Sequence, residues 1–356
     1  MNRQFYIDLA RRGLRMPIGT DLVLREKPDH HAILLDGHRL GQVIVEAARR
    51  YRTPLAIHLM DLTVEKEALL HAVGPEGGAP PRHRLAADAG NFHFDSLPPA
   101  ESLHLLRSGR ADILTPRLKA NIDAIRHVAA CPDLVPCGMT IGPFSLATKL
   151  LADPITPAFL FGAGAAEDPD VQRLLRVLDM SLAVVLRSVA MQIDAGARLI
   201  VVAEPAANTA YFSPHQLAGP GDVFDRLVVQ PNRAVRDLLQ KHSADLFFHC
   251  CGELCDEMVR RFASLEPVIL SLGSSRRLWE DAKLVPPHVV LYGNMPTRKF
   301  YSDQLMSVEE VRRIRRDLVE RMAATGHPFI LGSECDVLAV EGCAASIRRK
   351  VEAMLE

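Results

Sequence analysis

Three observations predict that this sequence folds as an α/β barrel. Short apolar runs alternate with longer amphipathic stretches along most of the chain, the rhythm of right-handed strand–helix crossovers and a mainly parallel sheet. About seven such units fit within 356 residues, which suits a closed barrel better than a six-stranded open sheet. No G-x-G-x-x-G follows the first strand and no G-x-x-x-x-G-K-[ST] occurs, so the marks of nucleotide-binding open sheets are missing. The expectation is a (β/α)8 barrel, the TIM-barrel architecture, as a single domain over residues 1–356 with an N-terminal extension.

The first strand expected is Pro54–Asp61 (PLAIHLMD), after an amphipathic helix over Arg39–Arg52. A surface excursion follows from about Gly74 to Pro99, headed by GPEGGAPPR, before a helix over Arg117–Ala130. Cys137–Gly142 and Ala197–Glu204 read as strands on either side of a long helix, Val171–Ala195. Val223–Lys241 is the next helix, followed by the strand Asp245–Cys251 and a helix over Glu253–Leu265. Strands at Pro267–Leu272, His288–Asn294 and Pro328–Cys335 complete the sheet, with helices at Val308–Thr325 and Ala344–Leu355.

Composition narrows the function. The net charge of −1, without a long basic run, lacks the electrostatic footprint of a nucleic-acid binder. No apolar stretch reaches the roughly 18–20 residues of a membrane span. The start, MNRQFYIDLARRGLRMP, has no apolar leader segment, so a cytoplasmic location is expected. Seven cysteines, an odd number, argue against a disulfide framework in such a protein.

In a barrel of this kind the reactive groups gather at the C-terminal strand ends. Those ends carry Asp61, Gly142, Glu204, His249 with Cys251, Asn294 and Cys335. In Phe248-His249-Cys250-Cys251-Gly252, strand alternation sends His249 and Cys251 one way and Cys250 the other. If the shared direction is inward, an imidazole and a thiol meet Cys335 from the last strand, giving three ligands with one position open. That is the donor set of a catalytic zinc site. The plainer alternative is packing, because free cysteine behaves as a small hydrophobe. A competing pair, Cys251 and Cys255, would share a helix face if the helix began near Gly252.

Glu204, ahead of Pro205, reads either as a fourth, displaceable ligand or acid–base group, or as a loop or capping carboxylate. Asp61 could orient substrate or cap the helix beginning near Val64. Asn294 could anchor substrate or form the turn before Pro296. Substrate recognition is expected in the loops around Gly74–Pro99, Ala206–Pro220 and Asn294–Asp303, with His93, Tyr211 and Tyr301 available.

These landmarks, in this order, resemble the uroporphyrinogen decarboxylase superfamily, and within it the zinc-dependent corrinoid methyltransferase branch. The pieces are Pro54–Glu67, Gly142-Pro143-Phe144-Ser145-Leu146-Ala147, Glu204-Pro205, Ser213-Pro214, His249-x-Cys251-Gly252, Gly293-Asn294 and Leu331-Gly332-Ser333-x-Cys335. The resemblance implies zinc held by His249, Cys251 and Cys335, and a methyl group passed between cobalamin on a partner corrinoid protein and a small-molecule donor or acceptor. It also implies that a homodimer is possible. No D-x-H-x-x-G corrinoid motif is present, so cobalamin would come from the partner. The decarboxylase proper matches less well. Arg12-Gly13-Leu14-Arg15-Met16-Pro17 lacks its R-Q-A-G-R-Y run, and Leu331–Cys335 stands where N-L-G-H-G is expected. A metal-free lyase and a non-catalytic binding protein remain the alternatives.

Overall fold

The computed structural model describes residues 2–74, 89–218 and 222–356. Eight parallel strands form a nearly closed barrel: β1 (Arg15–Ile18), β2 (Leu55–Ile57), β3 (Val135–Ile141), β4 (Leu199–Ala203), β5 (Asp245–Cys250), β6 (Ile269–Leu272), β7 (Val290–Met295) and β8 (Phe329–Asp336). Hydrogen-bonded neighbours run β1-β8-β7-β6-β5-β4-β3-β2. Side chains bridge the seam between β1 and β2: Thr20 Oγ1 donates to Ile57 O at 2.7 Å and Thr53 Oγ1 lies 3.1 Å from Met16 Sδ.

Seven of the strands overlap the apolar runs read from the sequence, and β1 lies within the stretch expected to be an extension. Its four residues, Arg-Met-Pro-Ile, carry a charge and a proline and show no period-two pattern. Pro17 is tolerated because β1 borders the seam, where a missing N–H disrupts little. The extension proper is the helix Arg3–Arg11, which closes the N-terminal end of the barrel with Tyr6, Ile7 and Leu9.

Alternation along the strands separates two cores. Leu199, Val201, Phe247, Ile269, Val290, Tyr292 and Ile330 fill the barrel interior. Ile200, Val202, Leu246, Phe248, Leu270 and Leu291 pack outward against the helices. Each such side chain contributes roughly 1.5–3 kcal/mol by leaving water, so the register of every strand is firmly set.

Most helices lie where the periodicity puts them. Val308–Thr325 opens with Ser307 accepting from Glu310 N, an S-x-x-E cap, and ends at Gly326 with φ of 68°. The long helix Pro169–Asp194 is capped by Asp168. Two expectations change. The helix expected over Val223–Lys241 includes a π-turn, Asp225–Val229, before the α-helix Gln230–Lys241. The helix expected from Glu253 begins at Asp256. Cys255 is therefore its cap residue, and Cys251 and Cys255 share no helix face. Of the surface excursion Gly74–Pro99, residues 75–88 lie outside the described residues. Among the described residues, no helix is long and apolar enough to cross a membrane.

Candidate metal centre

β5 positions the first two donors. Phe247 lies in the barrel interior and Phe248 and Cys250 in the outer core, so His249 faces inward above Phe247. Cys251, one step beyond the strand, continues the inward face, whereas Cys250 Sγ points to Ala207 O at 3.7 Å. β6 lies beside β5 with Ser271 in register with His249. Ser271 Oγ is 2.8 Å from His249 Nδ1. That contact fixes the ring and leaves Nε2 buried without a hydrogen-bond partner. An orphaned buried ring nitrogen is costly unless something binds it.

The third donor comes from β8 by a less regular route. Ile330 lies in the interior core, and Gly332 has no side chain where the Tyr292 ring would meet one. Strict alternation from these residues would send Cys335 outward. The pairing of β1 with β8 breaks at this point: Met16 matches Gly332, but Ile18 matches Asp336. Two steps on β1 therefore span four on β8. This bulge-like irregularity brings Cys335 to the other donors, a re-aiming for which such features are used near active sites. The ligand atoms of His249, Cys251 and Cys335 all lie within 4.8 Å of one another.

The two sulfurs differ electrostatically. A hydrogen bond from Cys335 and the Arg298 guanidinium bring the Cys251 thiol down to about 7, against the opposing effect of burial. Cys335 is pushed up to about 12 by its bond to Cys251 and by burial. The pair thus gives up its first proton close to neutral pH and holds the second far into the alkaline range. Arg298 Nη2 lies 3.0 Å from Cys251 Sγ. The Arg298 backbone N–H donates to Glu334 Oε1 at 3.2 Å, and Glu334 Oε2 accepts from the Ser274 hydroxyl. One nitrogen and two sulfurs, with the second imidazole nitrogen anchored, fit a soft divalent cation such as zinc with a position left open.

A family model described as uroporphyrinogen decarboxylase (URO-D) matches residues 21–353. The chain belongs to the uroporphyrinogen decarboxylase family. No curated protein matches the sequence. A solved structure described as a methyltransferase from Methanosarcina mazei has a TM-score of 0.68 at 15% identity, over 99% of this chain and 98% of that one. The likeness is one of fold.

Within this uroporphyrinogen decarboxylase family barrel, the other expected site residues are placed differently. Glu204 continues the outward face of Ile200 and Val202 and is fully buried. Its Oε1 accepts from Ser145 N at 2.5 Å and its Oε2 from Asn232 Nδ2 at 2.8 Å. A side chain on Gly142 would collide with this carboxylate, so the glycine makes room for it. Burial raises the Glu204 pKa against those hydrogen bonds. The structure thus places Glu204 in a brace between the sheet and its covering helices, apart from the three donors.

Asp61 pairs with Arg117 Nη2 at 3.0 Å and accepts from Thr63 N at 3.0 Å, ahead of the helix Val64–Val73. Asn294 Nδ2 donates to Gly273 O at 2.8 Å and Arg276 O at 2.9 Å, tying the end of β7 to the loop after β6. Tyr211 packs edge-on to Phe144, with ring centres 5.7 Å apart, and Tyr301 is exposed. His93 lines a cleft of about 370 Å³ with Lys66, Glu67 and Lys149.

Sequence reasoning missed Ser271, Arg298 and Glu334. Ser271 had a signal: it is the polar residue at an inward position of an otherwise apolar strand, Ile-Leu-Ser-Leu. Arg298 lies in the loop Asn294–Asp303 where recognition is expected, and no spacing in that loop marks it out. Arg12 and Arg15 border the start of β1 and line a cleft of about 820 Å³ with Arg52, at the end of the barrel opposite the donors.

Proposed function

We propose that this chain is a zinc-dependent methyltransferase that moves a methyl group between a corrinoid protein and a small-molecule donor or acceptor. One observation carries the reading: a buried, partnerless imidazole nitrogen converges with two thiol sulfurs at the C-terminal end of the barrel. His249, Cys251 and Cys335 would hold the metal. Bound there, zinc supplies Lewis acidity at its open position, toward a thiol acceptor or the leaving atom of a methyl donor. Family membership and the fold shared with a methyltransferase support the same reading.

The chain's own residues prepare the site. Ser271 holds the imidazole in one orientation, so that Nε2 would be the nitrogen offered to a bound metal. Phe247 and Tyr292, with ring centres 5.3 Å apart, floor the site and keep water from reaching it through the barrel. The Cys335 hydrogen bond and Arg298 favour the thiolate form of Cys251, so one of the two ligand protons is readily given up near neutral pH. Cys335 would hold the metal as a thiolate and would give up its proton to do so. A metal-free lyase of the decarboxylase type is disfavoured, because Arg12 and Arg15 lie at the far end of the barrel from these groups.

Metal analysis tests the proposal. Purified protein should carry about one zinc per chain, and His249→Ala and Cys335→Ser should each lose it, because either change leaves two protein donors. Freshly prepared wild type without metal, and without affinity for added zinc, would overturn the assignment.

A further inference from the structure

Lys66 sits in the first turn of the helix Val64–Val73, which follows the C-terminal end of β2. The residue is only 5% exposed. Its Nζ donates to Lys149 O at 2.7 Å and to Gly90 O at 3.2 Å. Both carbonyls are held in place. Lys149 ends the helix Pro143–Thr148, and Phe94 N donates to Leu150 O at 2.9 Å, which ties the segment after Gly90 to that helix end. The two lysines line a cleft of about 370 Å³ with His93 and Glu67. Among the described residues, no carboxylate forms an ion pair with either lysine.

A buried ammonium without a counter-ion is the costly form of this side chain. It also carries three N–H bonds against two acceptors. The neutral amine has two N–H bonds, one for each carbonyl, and its lone pair takes the remaining direction, toward the cleft. Burial and the Lys149 ammonium favour this form, bringing the Lys66 amine down to about 8. Desolvated lysines of this kind serve as nucleophiles toward carbonyl compounds. Lys149, exposed at the same cleft, adds a positive charge at its rim.

We propose that Lys66 is a nucleophilic amine that condenses with a small aldehyde carrying an anionic group, the anion resting on Lys149. The inference stands apart from the three metal donors and does not depend on them. In the step proposed, the Lys66 lone pair forms a C–N bond to the carbonyl carbon, and the π pair moves to oxygen. The oxygen takes up the two protons that nitrogen releases and leaves as water. Amine and aldehyde thus give imine and water, with no oxidant or reductant consumed. His93 lines the same cleft and can carry a proton from nitrogen to oxygen.

Pyridoxal phosphate, an aldehyde with an anionic group, serves as the probe. Borohydride converts its imine to a stable secondary amine, and peptide mass mapping locates the label. At pH 7 an amine with a pKa of about 8 has roughly 200-fold more of the neutral form than an ordinary lysine. Its lower basicity offsets part of that gain, so wild type should label at Lys66 about tenfold or more faster than at the exposed Lys241 and Lys283. Pyridoxal without the phosphate should label Lys66 about threefold more slowly, and Lys149→Ala should remove that difference. Lys66→Arg should lose the fast label while Lys241 and Lys283 keep theirs. Labelling of Lys66 in wild type no faster than that of Lys241 would overturn the nucleophile, whatever the variants do. Equal rates with pyridoxal and its phosphate in wild type would overturn the place of the anion on Lys149.

Discussion

β4 and β5 run side by side with Ala203 in register with His249, and Glu204 N donates to His249 O at 2.9 Å. Each strand delivers a polar residue at its C-terminal end, yet the two are treated in opposite ways. Glu204 faces the helices, and its two oxygens meet Ser145 N and Asn232 Nδ2. His249 faces the barrel, where its Nε2 has no hydrogen-bond partner and the ring converges with the sulfurs of Cys251 and Cys335. Burial is complete for both. What separates a brace from a ligand here is convergence: the His249 ring lies within 4.8 Å of two thiol sulfurs, whereas both Glu204 oxygens are held by donors of the covering layer.

The strongest test of the ligand side is pH. With Cys251 at about 7 and Cys335 at about 12, metal entry displaces two thiol protons below pH 7 and one between pH 7 and 12. Metal competes with those protons, so affinity rises with pH. Zinc affinity should climb by about two decades per pH unit below pH 7 and about one above it, or roughly 1,000-fold from pH 6 to pH 8. Competition with a chelator of known proton affinity measures this. A flat profile would mean that the two sulfurs are not the ligands.

The brace side predicts a change in stability with no change in metal. Glu204→Ala removes the acceptor of the Ser145 N–H and of one Asn232 amide N–H, the other still reaching Val228 O, at about 1–3 kcal/mol each. Unfolding in denaturant should therefore show a loss of roughly 2–6 kcal/mol, with zinc content unaltered. Glu204→Gln retains one acceptor and should lose less. Zinc lost from a folded Glu204→Gln protein would return this carboxylate to the metal centre and break the contrast between the two strands.

The same contrast explains what could be read from sequence. β5 is regular, so counting by twos from Phe247 places His249 and Cys251 on one face and Cys250 on the other. Counting by twos along Ile200, Val202 and Glu204 turns Glu204 outward as well, so a carboxylate at a strand end is not by itself a barrel residue. Cys335 followed from its place at the end of the last apolar run, although regular counting along β8 would have misplaced it; the register break that corrects this depends on pairing with β1. β1 itself was illegible, since four residues with a proline carry no period. Arg298 lies in an irregular loop, where spacing says nothing about what a side chain touches.

Ser271 refines the comparison at smaller scale, because it satisfies one nitrogen of the ring whose other nitrogen is free. Ser271→Ala should leave three ligands in place but loosen the imidazole, weakening zinc binding by roughly 10- to 100-fold, the usual effect of losing a group that orients a metal-binding histidine. Affinity equal to wild type would show that packing against Phe247 alone holds the ring.

Cys250→Ser should have the smallest effect on metal and is the sharpest control on facing. Its sulfur lies 3.7 Å from Ala207 O in the outer core, one residue from either metal-binding neighbour but on the opposite side of the strand. A serine hydroxyl there can donate to the same carbonyl, so the cost to folding is modest and the site above Phe247 is untouched. Zinc per chain and zinc affinity should both equal wild type, while Cys251→Ser loses the metal. If Cys250→Ser lost metal and Cys251→Ser kept it, β5 would be turned by one residue. His249 would then face the helices beside Glu204, and the distinction between the two strand ends would disappear.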